Sequence, residues 1–345
     1  MAKILIIRFS AIGDVAMTIP VIYSFALQHP EHEITFLSRA SLRPLFTGLP
    51  SNIHFMGADL SGKHHGLFGL HKLFYNELKG MDFDYIADFH NVLRTKMIRY
   101  RFKLMGLPTA AIDKGRIGKK KLTRRYFKVF ENQKSSFDRY TDVLTQLGFS
   151  VHPDFSSIYG EGRGDFAQVR HLTGDKGEDK WIGIAPFAKH TGKVLPLDKL
   201  EQVIAHFATD SRVKIFLFGG GHKEKEVLAE WAAQCPNVIS MVGQLNMSTE
   251  LILMSYLDAM VSMDSANMHL ASLVNVPVIS VWGATHPYCG FMGWKQTTDN
   301  AVQVELPCRP CSVFGKKPCY RKDYACLKMI TPEMIIKKIE SIIFN

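Results

Sequence analysis

Three short loops in this chain carry side chains suited to holding a phosphate and moving a proton. The first lies in the stretch 261–283, VSMDSANMHLASLVNVPVISVWG, where an apolar run stops at Asp264-Ser265-Ala266. Apolar residues resume at Met268, Leu270, Ala271, Leu273 and Val274, the spacing of one buried helical face, with Asp264 or Ser265 as cap. Asn275-Val276-Pro277 ends that helix, and residues 278–282 read as a buried strand. In an open parallel sheet such a turn sits at the carboxyl edge of the strands. There the helix N-terminus offers free N–H groups and partial positive charge to an anion, usually phosphate. An Asp or Ser before a helix is ordinarily only a cap, and a lone His ordinarily only a satisfied polar group. The case here rests on the combination D-S-A-x-x-H between two apolar strands, with Ala266 small enough for a ligand to approach the backbone and His269 beside it.

The second loop, residues 186–196, carries Lys189 and Lys193. It leaves a predicted strand at 181–185, on the same edge as the glycine turn Gly219-Gly220-Gly221 that follows a strand at 213–218. Two small-residue turns at helix starts plus two lysines are the equipment for a diphosphate. The third loop, Ser10-Ala11-Ile12-Gly13-Asp14, follows an apolar strand at 2–9 and opens a helix predicted over 15–29. It places a carboxylate, Asp14, at the mouth of a sheet. Asp14 alone reads equally well as a dipole-complementing acid worth ~0.3–1 kcal/mol.

Strands at 33–38, 54–56 and 85–89, with helices near 42–47 and 67–78, complete a first strand–helix alternation. The polar set Asp88, His90, Asn91 and Arg94 falls just past the last of those strands. A helix at 136–148 precedes an irregular stretch, 149–180, rich in Gly, Asp and Ser, and the strand–helix rhythm then restarts. The expected fold class is α/β with two doubly wound domains, at 1–165 and 175–330, and a final amphipathic helix at 331–345.

The 345 residues, 46% of them hydrophobic, can bury a large core. A membrane-spanning run is missing and the N-terminus lacks the layout of a signal peptide, so the expected address is the cytoplasm. A formal charge of +10 implies a polyanionic partner. Much of it lies between Arg94 and Lys128, where thirteen Lys or Arg, among them Lys119, Lys120 and Lys121, face one acid, Asp113. Tyr100, Phe102, Tyr126 and Phe127 interleave, which suits a membrane surface or single-stranded nucleic acid equally on physical grounds.

Together, R-F-S-A-I-G-D at 8–14, K-x-x-P at 193–196, the glycine turn after Phe218 and D-S-A-N-M-H-L-A at 264–271 resemble glycosyltransferase family 9, the heptosyltransferases of lipopolysaccharide core assembly. The resemblance spans nearly the whole chain. It implies a GT-B fold of two Rossmann-like domains facing across a cleft, the acceptor held by the N-terminal one and the sugar nucleotide by the C-terminal one, with the last helix crossing back onto the N-terminal domain. It implies inverting transfer with Asp14 as base and no catalytic metal or other cofactor. The donor site would comprise Lys189, Lys193, Gly220, Glu224 or Glu226, Asp264, Ser265, Ala266 and His269. The acceptor site would comprise Ser10, Gly13, Asp88, His90, Arg94 and Lys119–Lys121. The implied partners are ADP-heptose, a lipid-linked anionic saccharide and the inner face of the inner membrane, with no nucleic acid. Ala188 and Lys189 stand where the family commonly has Thr-Thr or Ser-Trp, so heptose is the family default rather than a deduction.

Cys308, Cys311, Cys319 and Cys326 resemble a zinc set, though the second pair is spaced by six residues rather than two to four. Reduced thiols or an oxidation-sensitive pair are the alternatives in a reducing compartment, which disfavours stable disulfides. A dehydrogenase is disfavoured because G-x-G-x-x-G is missing from both halves, and a nucleic-acid-binding module would leave the polar sheet-edge loops unexplained.

Overall fold

The apolar run near the N-terminus forms β1 (Lys3–Ile7), solvent-excluded from Ile4 onward, as a parallel strand covered on both faces must be. In the computed structural model, which describes residues 1–344, it joins β2 (Glu33–Arg39), β3 (Ile53–Ala58), β4 (Tyr85–Asp88) and β5 (Thr109–Ala111) in the order β3-β2-β1-β4-β5. Every pairing is parallel. The connections carry α1 (Ile12–Ala16), α2 (Ile19–Gln28), α3 (Gly66–Leu73) and α4 (Leu93–Leu104). After α5 (Arg116–Thr123), α6 (Ser136–Gln146) returns to this sheet. Leu5, Ile7, Phe9, Leu37, Ile86 and Phe102 form part of its core.

A second sheet contains β6 (Lys180–Ala185), β7 (Val213–Leu217), β8 (Val238–Ser240), β9 (Ala259–Met263), β10 (Val278–Val281) and β11 (Ala301–Val302), in the order β11-β10-β9-β6-β7-β8 and again wholly parallel. Its helices are α7 (Arg170–Thr173), α8 (Leu197–Ala208), α9 (His222–Gln234), α10 (Met247–Met254), α11 (Ala266–Leu273), α12 (Ala325–Lys328) and α13 (Pro332–Ile343). In both sheets the first strand lies between the second and the fourth, so chain order reverses beside it. Ligands of open α/β sheets sit outside the carboxyl ends of the strands at that reversal. Here it falls between β1 and β4, where Ile7 pairs with Asp88, and between β6 and β9, where Ala185 pairs with Ser262.

Several expectations are corrected. The helix predicted over 15–29 is two helices broken at Met17-Thr18, because Pro20 lacks an N–H and its ring would clash with the carbonyl one turn back. The helix predicted to reach 78 leaves α-geometry at Phe74 for a wider turn. The chain divides into one unit of residues 1–114 and 134–158 and a second of 115–133 and 159–345, so the basic segment around α5, expected in the N-terminal domain, belongs to the second unit. Lys128 holds it there by donating to the carbonyls of Cys308 (3.0 Å) and Pro310 (2.8 Å). The last helix, expected to cross back onto the N-terminal domain, packs in the second unit: Ile335, Ile339 and Ile343 enter that unit's core, and His206 meets Glu340 at 3.1 Å. Among the described residues no helix is long and apolar enough to cross a membrane.

Glu250, in the first turn of α10, shows what burial costs without a counter-cation, its carboxyl being pushed up to about 7 by desolvation. Near pH 4 it is largely protonated whether folded or not, and the penalty appears as pH rises through 7. Glu250→Gln therefore raises folding stability at pH 8 by on the order of 2–3 kcal/mol and leaves it nearly unchanged at pH 4. Denaturant titrations at the two pH values check this, and equal effects at both would mean the carboxyl is not desolvated.

Candidate functional site

At the carboxyl end of β1, Arg8 turns its guanidinium inward, where Nη1 donates to the Phe89 carbonyl at 2.5 Å and Nη2 pairs with Asp14 at 2.8 Å. The other Asp14 oxygen accepts the Ala11 N–H at 3.0 Å, closing the first turn of α1. Asp14 is thereby fixed in direction, yet its side chain stays 36% exposed and open to a substrate. Burial opposes the Arg8 charge, but Tyr140, Asp14 and Asp88 outweigh it and hold its pKa above the ordinary arginine value. Tyr140 stacks on Phe89 (4.9 Å) and lies 5.5 Å beneath the guanidinium.

Beside it, at the end of β4, Asp88 accepts the N–H groups of His90 (3.0 Å) and Asn91 (2.7 Å), and Arg99 lies 3.2 Å from its other oxygen, in ion-pair range though without hydrogen-bond alignment. Its side chain is 0% exposed. Its role is therefore to position the loop rather than to meet an acceptor directly. His90 is held neutral, its pKa lowered to about 3 by burial and by the nearby Arg8 and Lys114 charges. Its Nδ1 accepts the Phe9 N–H at 3.4 Å, which leaves Nε2 to carry the proton. Ser10 lies in the loop that precedes α1 and Gly13 within α1 beside Asp14, whereas Arg94 stands exposed in the first turn of α4.

In the second unit the reversal point is built around Lys193. Its ammonium pairs with the Asp264 carboxylate at 2.8 Å and donates to the Asp264 carbonyl at 3.0 Å, while Thr285 donates to the same carboxylate oxygen at 2.7 Å. Arg309, itself buried, holds this group from behind with hydrogen bonds to the carbonyls of Gly283 (2.6 Å) and Thr285 (3.0 Å). The loops close tightly here. A Cβ on Gly283 would lie 2.6 Å from the Gly192 carbonyl, and one on Gly315 2.6 Å from the Lys193 side chain. Ser265 precedes α11 without capping it, its hydroxyl 3.2 Å from that of Ser262, with Ala266 and His269 following in the helix. At the glycine turn the Gly220 N–H donates to Glu224 at 2.7 Å. The field around Lys193 is positive: besides burial, Lys193, Lys189 and Lys316 all lower the pKa of His190.

Residues 75–324 match the family description Glycosyltransferase family 9 (heptosyltransferase), well over half of the chain. The chain belongs to glycosyltransferase family 9. Within that family it is 25% identical over 135 residues to lipooligosaccharide heptosyltransferase 2 of Campylobacter jejuni, an alignment that spans 38% of this chain and 41% of that relative. It is 20% identical to lipopolysaccharide heptosyltransferase 1 of Pseudomonas aeruginosa across 99% of this chain and 98% of the relative. Its fold matches that of the E. coli ADP-heptose lps heptosyltransferase II with a TM-score of 0.70 at 18% identity, covering 99% of this chain and 98% of that one. Two wholly parallel Rossmann-like sheets in one chain are the GT-B arrangement of such transferases.

Against this family background, the structure gathers Asp14, Ser10, Gly13, His90 and Asp88 at one reversal point and Lys193, Asp264 and Ser265 at the other, with the Gly220–Glu224 turn following a neighbouring strand. It separates the lysine run. Lys119 is 6% exposed, its ammonium 4.0 Å from the centre of the Phe291 ring, whereas Lys120 and Lys121 are exposed. The four cysteines are free thiols, and among the described residues they do not form a group with three ligand atoms within 4.8 Å of one another. Burial pushes Cys326 up to about 11 and also raises Cys311. Thr285, Arg309 and Lys316 were missed. Thr285 carries the polar-residue-past-a-strand signal used for Asp88, while nothing local marks Arg309 as buried.

Because Asp264 is enclosed and shared by Lys193 and Thr285, Asp264→Asn should leave an unpaired ammonium. The expected destabilisation is about 2–4 kcal/mol, read as a shift in denaturant midpoint, and Thr285→Val should cost about 1 kcal/mol.

Proposed function

We propose that the chain transfers heptose from ADP-heptose to a hydroxyl of a lipopolysaccharide core acceptor, with inversion at the anomeric carbon. The observation that carries this reading is the pairing of functions at the two reversal points: an oriented, solvent-reachable carboxylate in one unit and a lysine held at a helix N-terminus in the other. Glycosyl transfer needs both. Asp14 takes the proton of the acceptor hydroxyl as its oxygen attacks the anomeric carbon. The bond from that carbon to the diphosphate oxygen breaks, and ADP leaves carrying the electron pair. Lys193 and the first N–H groups of α11 stabilise the departing charge. Lys193 has three donors and spends two on Asp264, so one remains for a phosphate oxygen. One direct displacement with one base inverts the centre, by the geometry that separates inverting from retaining glycosidases.

The relatives support the donor and acceptor class: the C. jejuni and P. aeruginosa proteins are named lipooligosaccharide and lipopolysaccharide heptosyltransferases, and the E. coli protein is named ADP-heptose lps heptosyltransferase II. His90, neutral with Nε2–H available, and Arg94 are the proposed acceptor contacts. Lys189, Glu224, Ser265, Ala266 and His269 are the proposed donor contacts beside Lys193. Asp14→Asn should lower turnover ~10²–10⁴-fold while calorimetric ADP affinity stays unchanged, and Lys193→Ala should show the opposite emphasis, weakening ADP binding. Near wild-type turnover in Asp14→Asn would make Asp14 a helix-end acid only.

Contact with an anionic membrane surface belongs to the same proposal. The segment after α5 exposes Arg124, Arg125, Tyr126 and Phe127, the last of them 90% exposed, and α5 itself exposes Ile117, Lys120 and Lys121. Each cation near an anionic surface contributes ~1 kcal/mol, so Lys120→Gln with Lys121→Gln should weaken binding to phosphatidylglycerol liposomes ~30-fold at low salt. The decisive comparison sets a lipid-linked acceptor against a delipidated one. A loss confined to the former supports docking, and no loss on either removes it.

A further inference from the structure

The geometry points to a divalent transition-metal site, zinc in the first instance, formed by His29, Glu31 and His32 in the turn from α2 to β2. His29 Nδ1 and His32 Nε2 lie 3.6 and 3.4 Å from the same Glu31 oxygen, and the three ligand atoms are all within 4.8 Å of one another. Both distances are long for hydrogen bonds, whose donor–acceptor separations run ~2.7–3.2 Å. They suit ligands of one ion. Two atoms each about 2.1 Å from a tetrahedral zinc are about 3.4 Å apart.

The tautomer supports the same conclusion. His29 Nε2 lies 2.8 Å from the Ser150 carbonyl, which can only accept, so that nitrogen carries the proton. With the proton on Nε2, Nδ1 has a lone pair to offer, 3.6 Å from a Glu31 carboxylate oxygen, so both atoms can ligate one cation. An imidazole that ligates a metal commonly donates its other N–H to a backbone carbonyl, as His29 does to Ser150. His32 Nδ1 is buried and forms no hydrogen bond, so a role for this ring must come through Nε2, the atom beside Glu31.

The turn is held in shape before any ion arrives. The Asn52 amide donates to the carbonyls of His32 (3.0 Å) and His29 (3.4 Å). The imidazoles lie parallel at 5.6 Å, with the Phe149 ring edge-on to both. Glu31, 53% exposed, supplies the third ligand and the entry path, and water would complete the tetrahedron. Imidazole and carboxylate together suit zinc, nickel or copper rather than magnesium or calcium. The site sits where β2 begins, at the amino edge of the first sheet, whereas Asp14 follows the carboxyl end of β1. Its role is therefore a clamp between α2, β2 and the Phe149–Ser150 loop, and it takes no part in transfer.

The test uses full-length, tag-free protein carrying Cys308→Ser and Cys311→Ser, so that thiol binding is disabled, stripped with EDTA and desalted. Titration with zinc chloride should show one equivalent bound with micromolar or tighter affinity, a raised thermal midpoint, and a cobalt absorption band of tetrahedral intensity without thiolate charge transfer. Glu31→Gln and His32→Gln should each weaken zinc binding at least tenfold. Glu31→Gln, at an exposed position, should match the parent in metal-free circular dichroism and thermal midpoint, which separates lost binding from lost folding. Failure to bind stoichiometric zinc, leaving a histidine–glutamate ion pair only, overturns the proposal, as does binding that both variants leave unchanged.

Discussion

In each of the two sheets the chain order reverses beside the first strand, and that single constraint decides where chemistry can occur. Connections from the two strands flanking the reversal depart to opposite faces, so their carboxyl ends leave a space that neither helix layer fills. Side chains immediately past β1 and β4, and past β6 and β9, are the ones that border it. Everything catalytic in the proposed function comes from those four loops. The strands themselves contribute mainly apolar residues buried on both faces, Leu5, Ile7, Ile184 and Val261 among them.

Both reversal points solve the same electrostatic problem, a charged group kept near a low-dielectric sheet edge, by opposite means. In the first unit a buried guanidinium orients a half-exposed carboxylate, leaving the negative group to face a substrate. In the second a buried carboxylate orients a lysine beside a helix N-terminus, leaving positive charge to face one. The inner member of each pair is supported by further polar contacts, the Phe89 carbonyl for Arg8 and Thr285 with Arg309 behind it for Asp264. Such support matters because a buried charge without partners costs more than its own ion pair returns. Glu250 is the counterexample, a half-buried carboxyl whose shift has no source but desolvation.

The motifs around Asp14, Lys193 and Asp264 were legible before any coordinates. Those of Asp14 and Asp264 combine a hydrophobic strand, a tight small-residue turn and a polar group at a helix start, and Lys193 lies in a longer loop that follows a hydrophobic strand, patterns local in sequence. Strand positions were legible for the same reason, and they imply the α/β class directly. Less legible were interruptions set by one residue, such as the break that Pro20 imposes between α1 and α2. Amphipathicity announced the final helix but not its address: Ile335, Ile339 and Ile343 would satisfy any apolar surface of the right width, and only packing assigns them to the second unit.

The sequence alone determined which residues could do chemistry, because strand, turn and helix signals lie within a few positions of Asp14, Lys193 and Asp264. Tertiary structure alone decided which of them face solvent and which hold others in place. Asp88 and Asp264 look like ligand contacts when read along the chain, yet the fold buries both and turns them toward His90, Asn91 and Lys193. The basic run reads as one continuous surface, but Lys119 is enclosed against Phe291 while Lys120 and Lys121 remain exposed. The physical reason is common to these cases. Burial of a charge is settled by partners distant in sequence, Phe291 for Lys119 and Thr285 for Asp264, and no local pattern records them.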